Sequence, residues 1–132
     1  MINGLLLHSV SYSGSWGQPL LTLEAFIDRA ADLGFDGVML MAKRPHLSML
    51  DYSSDGRRRL RERIEKRGLR HVCLAGYTNL TADLAHPDIP QYEFQVSHIV
   101  ERAQPAHDFG SHSVRIFTGY EETNMGFQRQ WE

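Results

Sequence analysis

The chain has 132 residues, of which 42% are hydrophobic and 23% charged, so its size and composition are those of one soluble globular domain over residues 1–132. The formal net charge of −2 gives no overall attraction to nucleic acid or to anionic lipid, and we expect neither as a partner. No stretch approaches the roughly 18 apolar residues of a membrane span, and residues 1–10 lack the basic start of a signal peptide, so we expect a cytoplasmic protein.

Short apolar runs predict the strands of the fold. They are too short for exposed helices and resemble buried parallel strands. The runs are residues 5–10, 38–41, 69–75 and 113–118. Their starts are separated by roughly 32, 32 and 44 residues, which matches βαβ units of about 30 residues or more. The single cysteine, Cys73, lies inside the third run, and we interpret it as a buried structural thiol.

The first two connections between these runs have the features of helices. Thr22 is a typical N-cap for the first helix, and Gly34 is placed to end it in the left-handed conformation. The second helix is predicted over about 55–67 and ends at Gly68. Its arginine-rich run, 57–61, is accompanied by glutamates three or four residues away. That pattern favours a solvated outer face over a phosphate or nucleic-acid patch.

A longer helical segment is predicted from Pro90 toward Gly110, with a kink where Pro105 interrupts it. A further helix begins at about 127–131. The order β-α-β-α-β-α-β predicts a parallel sheet with right-handed crossovers, either an open doubly wound sheet or part of a (β/α)₈ barrel. No glycine-rich phosphate motif follows any predicted strand, which weakens nucleotide-binding interpretations.

Polar side chains follow the predicted strands at their carboxyl ends, where α/β folds bind ligands. Lys43 and His46 share the loop after the second strand, which Pro45 stiffens, and a cation beside a titratable donor suits a hydroxylated or phosphorylated substrate. The full set of candidate substrate-binding residues is His8, Trp16, Lys43, His46, Asn79 and Tyr120. Structural roles remain open for several of them: a core position for His8, loop capping for Asn79 and Tyr120, and rim packing on the first helix for Trp16.

The remaining titratable residues give weaker signals. Glu121 and Glu122 are adjacent in sequence, and successive side chains rarely converge on one atom, so we interpret them as solvated loop charges. The other histidines show no H-x-x-x-H spacing, so a metal cluster drawn from them is not expected. These are His71, His86, His98, His107 and His112.

Three segments together resemble the strand ends of a known family. Residues 37–46, 75–79 and 114–121 are similar to the second, third and fourth strand ends of the sugar phosphate isomerase/epimerase family, whose members are xylose isomerase-like TIM barrels. A complete barrel of this type has about 250 residues. The resemblance therefore implies the first half of a (β/α)₈ TIM barrel: four strands, three helices and the start of a fourth, in which the chain is truncated.

The resemblance also implies a chemistry. Members of the family bind a divalent metal such as Mn, Mg or Co through Glu, Asp, His and Glu side chains on later strands, and the two glutamates transfer the proton. The full-length protein would then be a metal-dependent isomerase or epimerase of a small sugar or polyol, acting by proton transfer next to a carbonyl. This chain alone would hold no metal and no catalytic residue, and would be inactive. Met39 occupies a position where many relatives carry glutamate, so the sugar is not defined.

Two other readings are compatible with the same pattern. One is a DNA-repair barrel similar to endonuclease IV, which would need metal-binding histidines on early strands and a basic surface; the net charge of −2 argues against it. The other is a non-catalytic half-barrel that works by self-association. Because a partial barrel leaves its outermost strands unpaired on one side, we expect self-association through sheet edges in any case.

Overall fold

The computed structural model describes residues 4–84, 88–121, 123 and 125–130. In this part of the chain four strands form one parallel sheet in the order β1-β2-β3-β4. The strands are β1 (Leu6–His8), β2 (Gly37–Met41), β3 (His71–Ala75) and β4 (Val114–Arg115). The parallel α/β architecture predicted from the sequence is confirmed, although β1 and β4 are shorter than their apolar runs. The run 5–10 was predicted as one strand, but its end turns into a 3₁₀ helix at Ser9–Tyr12.

The helices of the described residues are α1 (Leu23–Asp32), α2 (Ser54–Lys66), α3 (Gln91–Val100) and α4 (Ala103–Asp108). Further short 3₁₀ helices lie at Ala82–Leu84 and Phe127–Gln130. The latter occupies the place of the predicted helix over 127–131, of which residue 131 lies outside the described residues. The chain thus has the helix order that the sequence predicts, with an additional break in the third connection.

The predicted helix ends are confirmed. The backbone N–H of Ala25 donates to Thr22 Oγ1 at 3.2 Å, which satisfies one of the free amide groups at the start of α1. Gly34 and Gly68 follow α1 and α2 with φ of 78° and 76°, in the left-handed region that glycine adopts without steric cost.

The kink predicted at Pro105 lies earlier than expected. α3 ends at Val100 and α4 begins at Ala103, so the break falls at Glu101 and Arg102. Pro105 is the third residue of α4, where a backbone N–H has no acceptor within the helix, so a missing N–H costs little there. The proline is accommodated by restarting the helix ahead of it.

The two faces of the sheet have different surroundings. Leu7, Val38 and Val72 are neighbours in one row, as are Leu40, Leu74 and Val114 in the next, and these residues pack against the buried sides of α1, α2 and α4. Alternation along each strand points the intervening residues to the opposite face, which we call the inner face. It carries the rows His8-Met39-Cys73 and Met41-Ala75-Arg115. Cys73 is 5% exposed, as predicted for a structural thiol.

The arginine-rich surface of α2 is only partly as predicted. Arg58 pairs with Asp55 and Arg61 with Glu65 on exposed turns of the helix, consistent with a solvated face. Arg57, in contrast, is buried: its Nε donates to Asp108 at 2.7 Å, and its Nη1 donates to the carbonyl oxygen of Tyr52 at 2.8 Å. The prediction was wrong for this residue because Arg57 lies on the side of α2 that contacts α4.

No helix among the described residues is long and apolar enough to cross a membrane.

Candidate functional site

Four side chains gather at the carboxyl ends of the strands, and we call them the strand-end cluster: His8, Lys43, Tyr77 and Arg115. His8 ends β1 and Arg115 ends β4, whereas Lys43 and Tyr77 each follow the end of their strand by two residues. Tyr77 is the centre of the group. Lys43 Nζ lies 4.7 Å from the centroid of its ring, and the guanidinium carbon of Arg115 lies 5.1 Å from the same centroid.

Two further aromatic rings extend this cluster. The guanidinium carbon of Arg115 lies 4.1 Å from the ring centroid of Phe117, and the rings of Tyr77 and Phe117 meet edge to face with centroids 5.8 Å apart. Tyr120 continues the row at 5.9 Å from Phe117. Cation–π contacts of this kind stabilise the cations by about 0.5–1 kcal/mol when exposed. The rings therefore hold both cations in place without neutralising them.

The strand-end cluster carries positive charge. Neither Lys43 nor Arg115 forms an ion pair with a carboxylate in the described part of the chain. The pKa of His8 is lowered from 6.5 to about 4, first by burial, then by the charge of Arg115 and by His46. His8 is therefore a neutral imidazole near pH 7, and its buried Nε2 has no hydrogen-bond partner among the described residues. Burial raises the pKa of Tyr77, so its phenol keeps its proton.

His46 lies in the core and not in the strand-end cluster. It is 1% exposed, and its ring stacks on Phe26 with centroids 6.3 Å apart. Its Nδ1 is 3.0 Å from Ser9 Oγ and its Nε2 is 3.2 Å from the carbonyl oxygen of Leu21. Since a carbonyl can only accept, Nε2 carries the proton and Nδ1 accepts from the Ser9 hydroxyl. Burial lowers the pKa of His46 despite the backbone carbonyls that favour its charged form.

This position differs from the sequence prediction, which placed His46 beside Lys43 as a substrate-binding residue. The geometry does not support that contact, because both ring nitrogens are already satisfied inside the protein. The loop after β2 turns back at Pro45, so that Lys43 remains exposed while His46 points inward. We therefore leave His46 out of the candidate site.

The other three predicted site residues, Asn79, Trp16 and Tyr120, lie outside the strand-end cluster. Asn79 Oδ1 accepts from the backbone N–H and the hydroxyl of Thr81, at 3.2 and 2.7 Å, which is the loop-capping geometry that the sequence left open. Trp16 is 76% exposed in its glycine-rich loop, and Tyr120 is 54% exposed. Of the six predicted residues, the structure brings His8 and Lys43 into the strand-end cluster. Tyr120 reaches it through Phe117.

Tyr77 and Arg115 were missed by sequence reasoning. Tyr77 had a usable signal, since it follows the third apolar run by two residues, as Lys43 follows the second. Arg115 had a stronger one: it is a charged residue between Val114 and Ile116, inside a predicted buried strand. A charge in such a run points to the inner face, because the helix-facing side cannot accommodate it.

A divalent metal does not fit the described residues of this chain. No three His, Cys, Asp or Glu side chains gather as a ligand set in residues 4–84, 88–121, 123 and 125–130. The strand-end cluster offers His8 as a neutral nitrogen donor, but Lys43 and Arg115 would repel a cation there. His86 and Glu122 lie outside the described residues. We therefore assign no step to a metal in this chain.

Comparison with known proteins places the chain in a family. A family model for the xylose isomerase-like TIM barrel matches residues 27–132. The fold is similar to that of a D-psicose 3-epimerase with D-tagatose from Clostridium cellulolyticum H10, with a TM-score of 0.69, 13% identity, and coverage of 94% of this chain and 42% of the epimerase. A D-psicose 3-epimerase in the presence of D-fructose gives a TM-score of 0.65, with 13% identity and the same coverage.

The two neighbours also define the extent of the match. This chain spans less than half the length of either epimerase, so it corresponds to part of a TIM barrel. A search of curated proteins gives no match. The partial-barrel architecture and the family predicted from the three strand-end segments are both confirmed. The chain belongs to the xylose isomerase-like TIM-barrel family.

Proposed function

We propose that this chain forms the substrate-binding side of a sugar isomerase or epimerase that acts on a small sugar or polyol. The observation that carries the proposal is the strand-end cluster, which puts two unneutralised cations and an aromatic ring at the carboxyl ends of parallel strands. TIM-barrel enzymes bind their substrates at this end of the barrel. The structural likeness to two D-psicose 3-epimerases supports a sugar as the ligand.

Each residue of the cluster has a defined task in this proposal. Lys43 and Arg115 donate hydrogen bonds to hydroxyl or phosphate oxygens, and the rings of Tyr77 and Phe117 pack against the C–H faces of the sugar. His8 adds one neutral donor and one acceptor at the inner face. These are positioning contacts. Misplacing a reacting group by about 1 Å can lower a rate roughly 100-fold, so positioning alone has a large effect on rate.

Proton transfer next to a carbonyl requires other groups. A histidine with a pKa of about 4, such as His8, is a weak base at neutral pH and does not suit the task. In our proposal the acid/base carboxylates and a divalent metal, Mn, Mg or Co, belong to the full-length protein, and the 132-residue chain alone is inactive. The chain's own contribution is to bind and orient the sugar.

Self-association is part of the same proposal. β1 pairs only with β2, and β4 only with β3, among the described residues, so each end of the sheet has a free edge. Free edges present unpaired N–H and C=O groups to other chains. We expect a sedimentation coefficient that rises with protein concentration in the micromolar range. A monomer at all concentrations would contradict this.

Saturation-transfer NMR with D-fructose, D-psicose and D-tagatose tests sugar binding by the 132-residue chain. We expect transfer to the sugar protons, and a reduction of at least fivefold in affinity for Lys43→Ala and Arg115→Gln. Lys66, on the exposed side of α2, is the other lysine of the chain, so Lys66→Ala is the matched control and should bind like the wild type. The proposal fails if none of the sugars binds, or if Lys43→Ala and Lys66→Ala behave alike.

A further inference from the structure

A second polar site lies outside the strand-end cluster. A groove of about 470 Å³ runs between the loop after β2 and the end of α3, and we call it the loop–helix groove. Residues 42–44 and 48–50 supply one wall, and His98, Glu101 and Arg102 supply the other. His98 lies in the last turn of α3, and Glu101 and Arg102 form the break between α3 and α4.

Arg102 is the unusual residue of this groove. It is 4% exposed, and its Nε and Nη1 have no hydrogen-bond partner among the described residues. Its Nη2 contacts the ring nitrogens of His98 at 2.6 and 2.8 Å. Glu101 lines the same groove but is not within ion-pair distance of Arg102. A guanidinium stays protonated even when buried, and among the described residues Glu101 attracts this charge without forming an ion pair with it.

The charges around Arg102 compensate it only in part, through Glu101. Arg44 is neutralised by Asp51, to which it donates two hydrogen bonds of 2.8 and 2.7 Å. Burial and the charge of Arg102 lower the pKa of His98, which is therefore neutral at pH 7. Lys43 and Arg102 remain as cations, and the exposed Glu101 is the single carboxylate among the described residues that line the groove.

A buried charge that lacks a counter-ion and most of its hydrogen bonds strongly destabilises a fold. The buried arginine Arg57 shows how this chain avoids the problem elsewhere, since its guanidinium donates to Asp108, to Ser54 and to a backbone carbonyl. Among the described residues the Arg102 guanidinium has only the His98 ring as a hydrogen-bond partner, and its Nε and Nη1 have none. An oxyanion in the groove would supply the missing acceptors and the opposite charge together.

We propose that the loop–helix groove binds a small oxyanion, a phosphate or carboxylate group, between Arg102 and Lys43. This site is separate from the sugar-binding role of the strand-end cluster and does not depend on it, although Lys43 borders both. Arg102 provides the charge just after the end of α3, Lys43 provides an exposed ammonium on the opposite wall, and Glu101 opposes binding. A group of this kind is carried by free phosphate, by a phosphorylated metabolite or by a carboxylic acid.

Titration of the 132-residue chain with inorganic phosphate at constant ionic strength tests the site, with the ¹⁵N-detected Nε–H signals of the arginines as the readout. We expect saturable binding that shifts the Arg102 Nε–H signal. Arg102→Met should weaken binding at least tenfold, and Glu101→Gln should strengthen it. Arg70→Met is the matched control, because Arg70 is an exposed arginine paired with Asp36, and it should leave phosphate binding unchanged.

Stability measurements separate this role from a purely structural one. Methionine retains the packing of the arginine stem but removes the charge, so Arg102→Met should melt at the same or a higher temperature than the wild type without phosphate, and should lose the phosphate-induced increase. If Arg102→Met does not fold, the uncompensated-charge argument is wrong. In that case the exposed residues Lys43 and Glu101 test the site. Weaker phosphate binding by Lys43→Ala together with stronger binding by Glu101→Gln would still support it.

Other ligands identify the source of the oxyanion. Binding of phosphate but not acetate assigns a phosphate group, whereas equal binding of both assigns a carboxylate or a general anion site. D-fructose should not displace phosphate, since the neutral sugar is expected at the strand-end cluster. The inference is overturned if phosphate shows no saturable binding, or if Arg102→Met binds it as well as Arg70→Met does. Either result would leave the proposed sugar binding untouched.

Discussion

Truncation of His46 to alanine is the sharpest test of the structural role that the fold gives this residue. The substitution removes a ring that is 1% exposed and stacked on Phe26, and it deletes the hydrogen bonds to Ser9 and to the Leu21 carbonyl. Removing a buried aromatic side chain costs about 3–5 kcal/mol, and the imidazole is at the small end of that class. An unsatisfied buried acceptor adds about 1–3 kcal/mol. The Ser9 hydroxyl keeps one partner, the backbone N–H of Met41.

We therefore expect His46→Ala to lower the free energy of unfolding by about 3–5 kcal/mol. In urea, with a slope of about 2 kcal/mol per molar, the midpoint should fall by roughly 2 M, measured by circular dichroism at one protein concentration. His46→Phe separates packing from hydrogen bonding, because it keeps a ring and should cost about 1–3 kcal/mol. The exposed His112 provides the control, and His112→Ala should unfold like the wild type. A loss below 1 kcal/mol for His46→Ala would refute the core assignment and return His46 to the list of possible ligand contacts.

Three further predictions follow from buried charges, titration and close backbone contacts. Asp108→Ala leaves the buried Arg57 without its carboxylate and should lower the free energy of unfolding in urea by about 2–3 kcal/mol. Removing Asp55 from its exposed pair with Arg58 should change that free energy little. Equal effects of the two substitutions would contradict the burial of Arg57. The pKa of His8 is about 4 in the fold against 6.5 in the unfolded chain, so the unfolded chain binds more protons between these pH values. The free energy of unfolding should therefore fall as the pH drops from about 6.5 toward 4. His8→Gln should flatten this profile. Gly37→Ala should abolish cooperative folding, since a Cβ there would lie 2.1 Å from the carbonyl oxygen of His71; a soluble variant with a wild-type melting curve would contradict the pairing of β2 with β3.

The sequence predicted the fold well where short-range signals act. The apolar run of β2, the Thr22 cap and the left-handed glycines at 34 and 68 each depend on a few neighbouring residues, so they can be recognised without knowing the tertiary contacts. The ends of β1 and β4 were harder, because the point where a strand stops pairing depends on its neighbour. β4 pairs with β3 through two register positions only, although its apolar run is longer.

The candidate site was predicted less completely, for a physical reason. A sequence shows which residues follow a strand but not where a loop turns, and the loop after β2 sends Lys43 outward and His46 inward within three residues. A similar error occurred at Arg57, because the helix face that was predicted to be solvated is covered by α4 at this residue. Long-range packing decides these cases. Tyr77 and Arg115 join Lys43 only because the register brings β3 and β4 alongside β2.

Chemical-shift mapping of a bound sugar tests the central claim most directly. Amide and side-chain signals of the ¹⁵N,¹³C-labelled 132-residue chain would be followed while D-psicose or D-fructose is added. Binding at the strand-end cluster predicts that the largest shifts appear at His8, Lys43, Tyr77 and Arg115, with intermolecular NOEs from the sugar protons to the Tyr77 and Phe117 rings. Saturable shifts that leave these residues unchanged, or no saturable shifts with any ketose, would contradict it.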